Sequence, residues 1–225
     1  MDKNKQILKS EKLSLKKLSE DSRLIKRGLR DLNVWPKIED IFNKLEEKYQ
    51  VGLTDFAPDV IEECFQLCEE ILKTDPNHFL TLCYYARCLY HKGHYNESLR
   101  YLTRCLNEEN DHFHLWKFKG DCYYKMKKYE EALDDYKKSF ELDPTNGPTI
   151  DDIAQCFFLL GNLENAHNYI DRLILLENES DMPMIRKAQF FEFQRDTKGA
   201  IGQYQKTLAK FPDSEYAIKK LKELI

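Results

Sequence analysis

The sequence predicts an all-α solenoid built from 34-residue helix–turn–helix repeats. Three observations carry that expectation. Cutting the chain at Phe79, Phe113, Gly147 and Asp181, each 34 residues after the last, brings like residues into columns. Apolar positions within each unit recur at steps of three and four, the α-helical period. Pro76, Pro144 and Pro212 fall two periods apart at the ends of alternate units, where a residue that cannot continue a helix sets a turn.

The columns have a physical cause. The eighth position reads Ala86, Gly120, Ala154, Ala188, and the twentieth reads Ser98, Ala132, Ala166, Ala200, with Cys64 one period upstream. Small residues there let two antiparallel helices approach closely. Large residues fill the space around that contact: Leu89, Tyr123, Phe157, Phe191 at the eleventh position and Leu102, Tyr136, Ile170, Tyr204 at the twenty-fourth, with Cys68 upstream.

The unit 113–144 resembles a tetratricopeptide repeat, with Trp116, Gly120, Tyr123, Ala132, Tyr136 and Pro144 at that family's signature positions. The other units match less fully: Leu82, Ile150 and Met184 replace the tryptophan, and Asn110 and Asn178 the proline. The resemblance covers about 79–212 and implies a right-handed α-solenoid that holds other proteins.

In chain order, residues 1–32 are expected to form a basic amphipathic helix. Leu8, Leu15, Leu18, Ile25, Leu29 and Leu32 form its apolar stripe, and it carries 10 Lys/Arg against 5 Asp/Glu. Residues 33–78 are read as a degenerate N-terminal capping repeat whose second helix is in register and whose first, around Trp35–Tyr49, is not. Repeats follow at 79–112, 113–146, 147–180 and 181–214. The segment 215–225 is the C-terminal capping helix, with Ile218, Leu221 and Leu224/Ile225 facing the last repeat and its lysines facing water.

Composition narrows the class. Of 225 residues, 42% are hydrophobic and 33% charged, the balance of a folded soluble chain rather than a disordered one. No apolar run approaches the roughly 20 residues of a membrane-spanning helix. The charged N-terminal sequence does not read as a secretory signal, so a cytoplasmic location is expected, with cytoskeletal, ciliary or organelle-associated assemblies open and secretion excluded. Seven cysteines, an odd number, then read as reduced thiols.

No pattern for catalysis stands out, and the chain is expected not to be an enzyme, with no cofactor and no metal. The six histidines match no metalloprotease, phosphate-loop or nucleophile-elbow pattern and read as solvated turn residues. Cys88, Cys122 and Cys156 recur at 34 and read as small buried packing residues; Cys64 and Cys68 lie one helical turn apart with no evident partner pair.

The resemblance implies that positions 2, 5, 9, 12 and 13 of each first helix line a concave groove. The residues expected to bind a partner are Arg87, Tyr90, His91, Lys117, Asp121, Tyr124, Lys125, Phe158, Leu159, Met182, Ile185, Gln189 and Phe193. The first half is basic with tyrosines and the second apolar, which suits a helical or extended segment that is acidic at one end. Arg87, Lys117 and Lys125 would orient it by charge; Tyr90, Tyr124, Phe158 and Phe193 would anchor it. Chaperone-binding members of the family clamp a C-terminal carboxylate with Lys and Asn, Asn, then Lys and Arg. Here one frame holds Lys117 and Asp121, Asp152, then Met182 and Arg186, and the aspartates would repel a carboxylate. RNA is not expected, since the period is 34 and the body beyond residue 32 is acidic, 25 Lys/Arg against 34 Asp/Glu.

The expected function is a non-catalytic scaffold or adaptor within a multiprotein assembly, its partner a peptide or helix of another protein, with the N-terminal helix as a second contact. The alternative is a self-inhibited regulatory subunit whose N-terminal helix fills the groove until displaced. Partner and pathway are not legible.

Overall fold

The computed structural model describes residues 40–41, 43–47 and 58–225. The amphipathic helix expected over 1–32 lies outside the described residues, as does much of 33–57. All regular structure among the described residues is helical, and it divides into two compact units that meet in sequence at Lys128 and Tyr129. No helix among them is long and apolar enough to cross a membrane.

The first unit holds helical residues within 40–47, then α1 (Pro58–Thr74), α2 (Phe79–His91), α3 (Tyr95–Glu108) and α4 (Phe113–Lys125). Successive helices pack on one another, and the small columns sit where the backbones meet. Ala86 and Ser98 are fully buried, and the Ser98 hydroxyl donates to the Ala86 carbonyl at 2.7 Å. A longer side chain at either position would force the helices apart. Cys64, Cys68, Ile71, Leu82, Tyr84 and Leu102 complete the core. The Tyr84 hydroxyl donates to Glu46 at 3.3 Å, tying the helical stretch at 40–47 to α2.

The second unit runs through α5 (Tyr129–Leu142), α6 (Gly147–Leu159), α7 (Leu163–Leu176), α8 (Met182–Phe193), α9 (Thr197–Lys210) and α10 (Glu215–Leu224). Ala188, Ala200, Tyr204 and Ala217 form a buried cluster where α8, α9 and α10 meet. Leu221 and Leu224 pack on it, whereas Ile225 points to solvent. The lysines of α10 do not all face water either: Lys220 reaches Glu192 at 3.3 Å, and Tyr204 donates its hydroxyl to the same carboxylate.

One turn recurs through both units. Gly93, Lys127, Gly161 and Arg195, spaced by 34, all have positive φ, between 59° and 81°. The next N–H in each case reaches back five residues: His94 to Leu89, Lys128 to Tyr123, Asn162 to Phe157 and Asp196 to Phe191, at 2.8 to 3.0 Å. This is the Schellman ending, in which a left-handed residue lets the last carbonyls of a helix be satisfied. Helix starts are capped locally: His78, Asn146, Asn162, Asp196 and Ser214 each accept the backbone N–H three residues on.

A second recurrence was not anticipated from the sequence. Arg104 donates to the Pro76 carbonyl at 3.1 Å in the first unit, and Arg172 donates to the Pro144 carbonyl at 3.4 Å in the second. The two arginines and the two prolines are each 68 residues apart, so the proline turns come with their own clamp.

Candidate partner-binding surface

In the first unit the expected partner-binding residues lie on α2 and α4. Arg87, expected to orient a partner by charge, is instead only 2% exposed, and its guanidinium lies 3.5 Å from the centre of the Phe118 ring. The charge is engaged inside the unit because a stacked guanidinium tolerates desolvation over an aromatic face. Lys117 is similarly committed, with Nζ 3.0 Å from Asp121 and both side chains largely covered. Tyr90 and Tyr124 are half-buried and Lys125 is exposed. Tyr90 packs edge-on against His91 and Tyr95. Ala86, Arg87, Tyr90, Phe118 and Asp121 line a shallow surface depression too tight to enclose a small molecule.

The histidines are less solvated than turn residues should be. His78 is 1% exposed and His114 is 6% exposed. Burial, followed by the nearby Arg87 and Lys125 charges, pushes the His91 pKa down to about 3. His91 is therefore neutral at physiological pH, and these residues of the first unit are less basic than their types suggested. His94 alone behaves as expected of an open turn, with half its side chain exposed.

In the second unit α6 and α8 present the remaining residues. Ile185 is 3% exposed and belongs to the core; residue type alone did not distinguish it from a surface apolar residue. Phe193 is 80% exposed and Leu159 is 41% exposed. Phe193 stands edge-on to Phe158 at 5.7 Å, and Phe158 stacks on Phe190 at 4.4 Å. Met182 and Gln189 are half-buried; Gln189 donates to the Tyr216 hydroxyl at 3.0 Å. A bidentate pair fixes the two helices, Arg186 Nε and Nη2 each lying 3.1 Å from an Asp151 oxygen. Sequence reasoning missed this pair, although Asp151 and Arg186 are one period and one residue apart.

All seven cysteines are buried, including the column Cys88, Cys122 and Cys156. Cys83 and Cys105 lie with their sulfurs 3.6 Å apart, a neighbour relation no spacing rule revealed. Among the described residues, Glu109, Asp111 and His112 form the group whose ligand atoms are close enough to hold a metal ion.

Two stretches each match a family model described as tetratricopeptide repeat, residues 115–146 one model and residues 184–214 another. The chain carries tetratricopeptide repeats. It is 26% identical over 106 residues to tetratricopeptide repeat protein 21A of Mus musculus, an alignment spanning 47% of this chain but 8% of that relative. Its fold is similar to that of MamA from Desulfovibrio magneticus RS-1, with a TM-score of 0.68 at 17% identity over 80% of this chain and 97% of the other. It is also similar to YrrB, described as a tetratricopeptide repeat protein with an unusual peptide-binding site: TM-score 0.59, 15% identity, 73% and 84% covered. These likenesses show the fold, an all-α solenoid of helical-pair repeats.

Proposed function

We propose that the chain is a non-catalytic scaffold or adaptor that binds a helical or extended segment of another protein through the first helices of its repeats. One observation carries the reading. Phe193 is exposed over most of its surface and stands edge-on to half-buried Phe158, an apolar surface that costs free energy in water and gains it when covered. The Phe158 ring is held against buried Phe190, so it meets a partner with little entropy left to lose. In the first unit, half-buried Tyr90 and Tyr124 and exposed Lys125 offer a polar surface of their own, with Lys125 a cation that would meet an acidic residue. The peptide-binding site in YrrB's description supports the same class of ligand.

The test is affinity capture with mass spectrometry, comparing wild type with Phe158→Ala/Phe193→Ala and with Tyr90→Ala/Tyr124→Ala. Both variants must first show unchanged helicity and melting. Loss of specific proteins from the first variant supports the reading, and identical partner sets for all three proteins overturn it. A chain lacking residues 1–32 separates the simple scaffold from the self-blocked form. Affinity for a groove ligand would rise only if that segment competes.

A further inference from the structure

The turn between α3 and α4 gathers three metal-ligating side chains that the partner-binding reading does not use. Glu109 follows the last residue of α3, and Asp111 and His112 precede the first residue of α4. His112 Nε2 stands 3.9 Å from Glu109 Oε2 and 3.9 Å from Asp111 Oδ1, and the three ligand atoms all lie within 4.8 Å of one another. We propose that Glu109, Asp111 and His112 form a binding site for a divalent transition-metal ion of the zinc class.

The geometry is close to what such an ion needs. Zinc bonds of about 2.0–2.1 Å in a tetrahedron place ligand atoms about 3.3 Å apart, so each carboxylate would have to close on the imidazole by about half an ångström and the two carboxylates on each other by up to about 1.5 Å. One imidazole with two carboxylates favours zinc and its neighbours over calcium or magnesium, which prefer all-oxygen sites. The ends of α3 and α4 that meet here carry opposite partial charges, so the attraction for a cation comes from the carboxylates.

The position is built differently from its counterparts. His78 and Asn146, one period before and after His112, turn their side chains onto the N–H of Thr81 and Thr149 as helix caps. His112 makes no such side-chain cap, and the Leu115 N–H is met by the His112 carbonyl at 3.1 Å. Its imidazole is turned to the two carboxylates instead. The glutamate replaces the aspartates found at 75 and 143, whose shorter side chains accept the N–H two residues on. The segment is braced by Trp116, whose indole N–H donates to the Asn110 carbonyl at 2.8 Å. Glu109 and His112 side chains are 10% and 14% exposed, whereas Asp111 is 49% exposed and leaves a path for entry. Three protein ligands leave room for water or for one ligand from a bound partner.

The experiment titrates purified, chelator-treated full-length chain with Zn²⁺ by calorimetry and with Co²⁺ by visible absorption. It compares wild type with His112→Gln, Glu109→Gln and Asp111→Asn. Circular dichroism melting without metal establishes that each variant folds; Asp111→Asn, at the exposed ligand, keeps the test intact if the others do not. The expected result is one equivalent bound at micromolar concentrations, at least about tenfold weaker in each folded variant. Bound Co²⁺ should show d–d absorption without a thiolate charge-transfer band. Equal affinity in the folded variants, a thiolate band that assigns the metal to cysteines, or no binding up to millimolar Zn²⁺ overturns the proposal.

Discussion

His78 shows how one residue type acquires a role the sequence does not announce. Its Nδ1 accepts from the Thr81 N–H at 3.3 Å and lies 2.6 Å from the Thr81 hydroxyl, inside a 1%-exposed pocket. Burial holds its pKa down to about 4, with the Asp75 charge opposing only in part. The unfolded chain takes up a proton near pH 6.5 and the folded chain does not until about pH 4. The contribution is therefore fully present above pH 6.5 and is lost as pH falls towards 4, on the order of 2–3 kcal/mol. His78→Asn, which places at 78 the cap used at 146, should keep stability at pH 7.5 and lose less of it by pH 5 in urea unfolding. Equal losses in the two proteins would sink this account. Ser98→Ala is a milder probe: the other repeats carry alanine in that column, so what goes is the bond to the Ala86 carbonyl and the weaker one accepted from the Cys122 thiol at 3.4 Å. The expected cost is about 1 kcal/mol, read from the urea midpoint. Burial of the histidines was not legible because their column positions are polar in some repeats and covered in others.

At the scale of elements, the left-handed turn residue decides how each helical pair closes. Two of the four such positions hold glycine, and Lys127 and Arg195 adopt the same conformation at a steric cost of about 1 kcal/mol. Arg195→Gly should therefore raise the melting temperature by a few degrees, offset in part by the added freedom of the unfolded chain. Gly161→Ala should lower stability by about 1 kcal/mol. Thermal melts of the two variants check both, and a destabilised Arg195→Gly would mean that its side chain contributes contacts larger than the strain. Gly93 and Gly161 stand two 34-residue periods apart, a recurrence that was not singled out from the sequence. The shared conformation at 127 and 195 was not legible there, because backbone hydrogen bonds impose it whatever the side chain.

For the whole molecule, the cysteines give a measure that needs no partner. Six lie in the first unit and Cys156 in the second, all buried. Burial pushes the Cys68 thiol well above its ordinary pKa, and Cys83 is raised by its contact with Cys105 and by burial. The native chain should thus resist a thiol reagent at pH 8 and react at all seven cysteines in denaturant, with labelled sites identified by mass spectrometry. Rapid native labelling of Cys156 or Cys105 would contradict the packing described.

The sequence by itself determined the helical class, the 34-residue unit and the small columns, since side-chain period and volume are local properties that only one packing satisfies. Phe158 and Phe193 were singled out by the groove positions that the resemblance to tetratricopeptide repeats implies. The tertiary structure decided which residues face outward. Arg87 shares its column with half-buried Asp121 and Gln155, and Ile185 with half-buried Lys117 and Asp151, yet one lies against Phe118 and the other in the core. The same holds for the clamps of Arg104 and Arg172 and for the gathering of Glu109, Asp111 and His112. Those depend on where a long side chain ends, and that is set by its neighbours in space rather than by its place in the repeat.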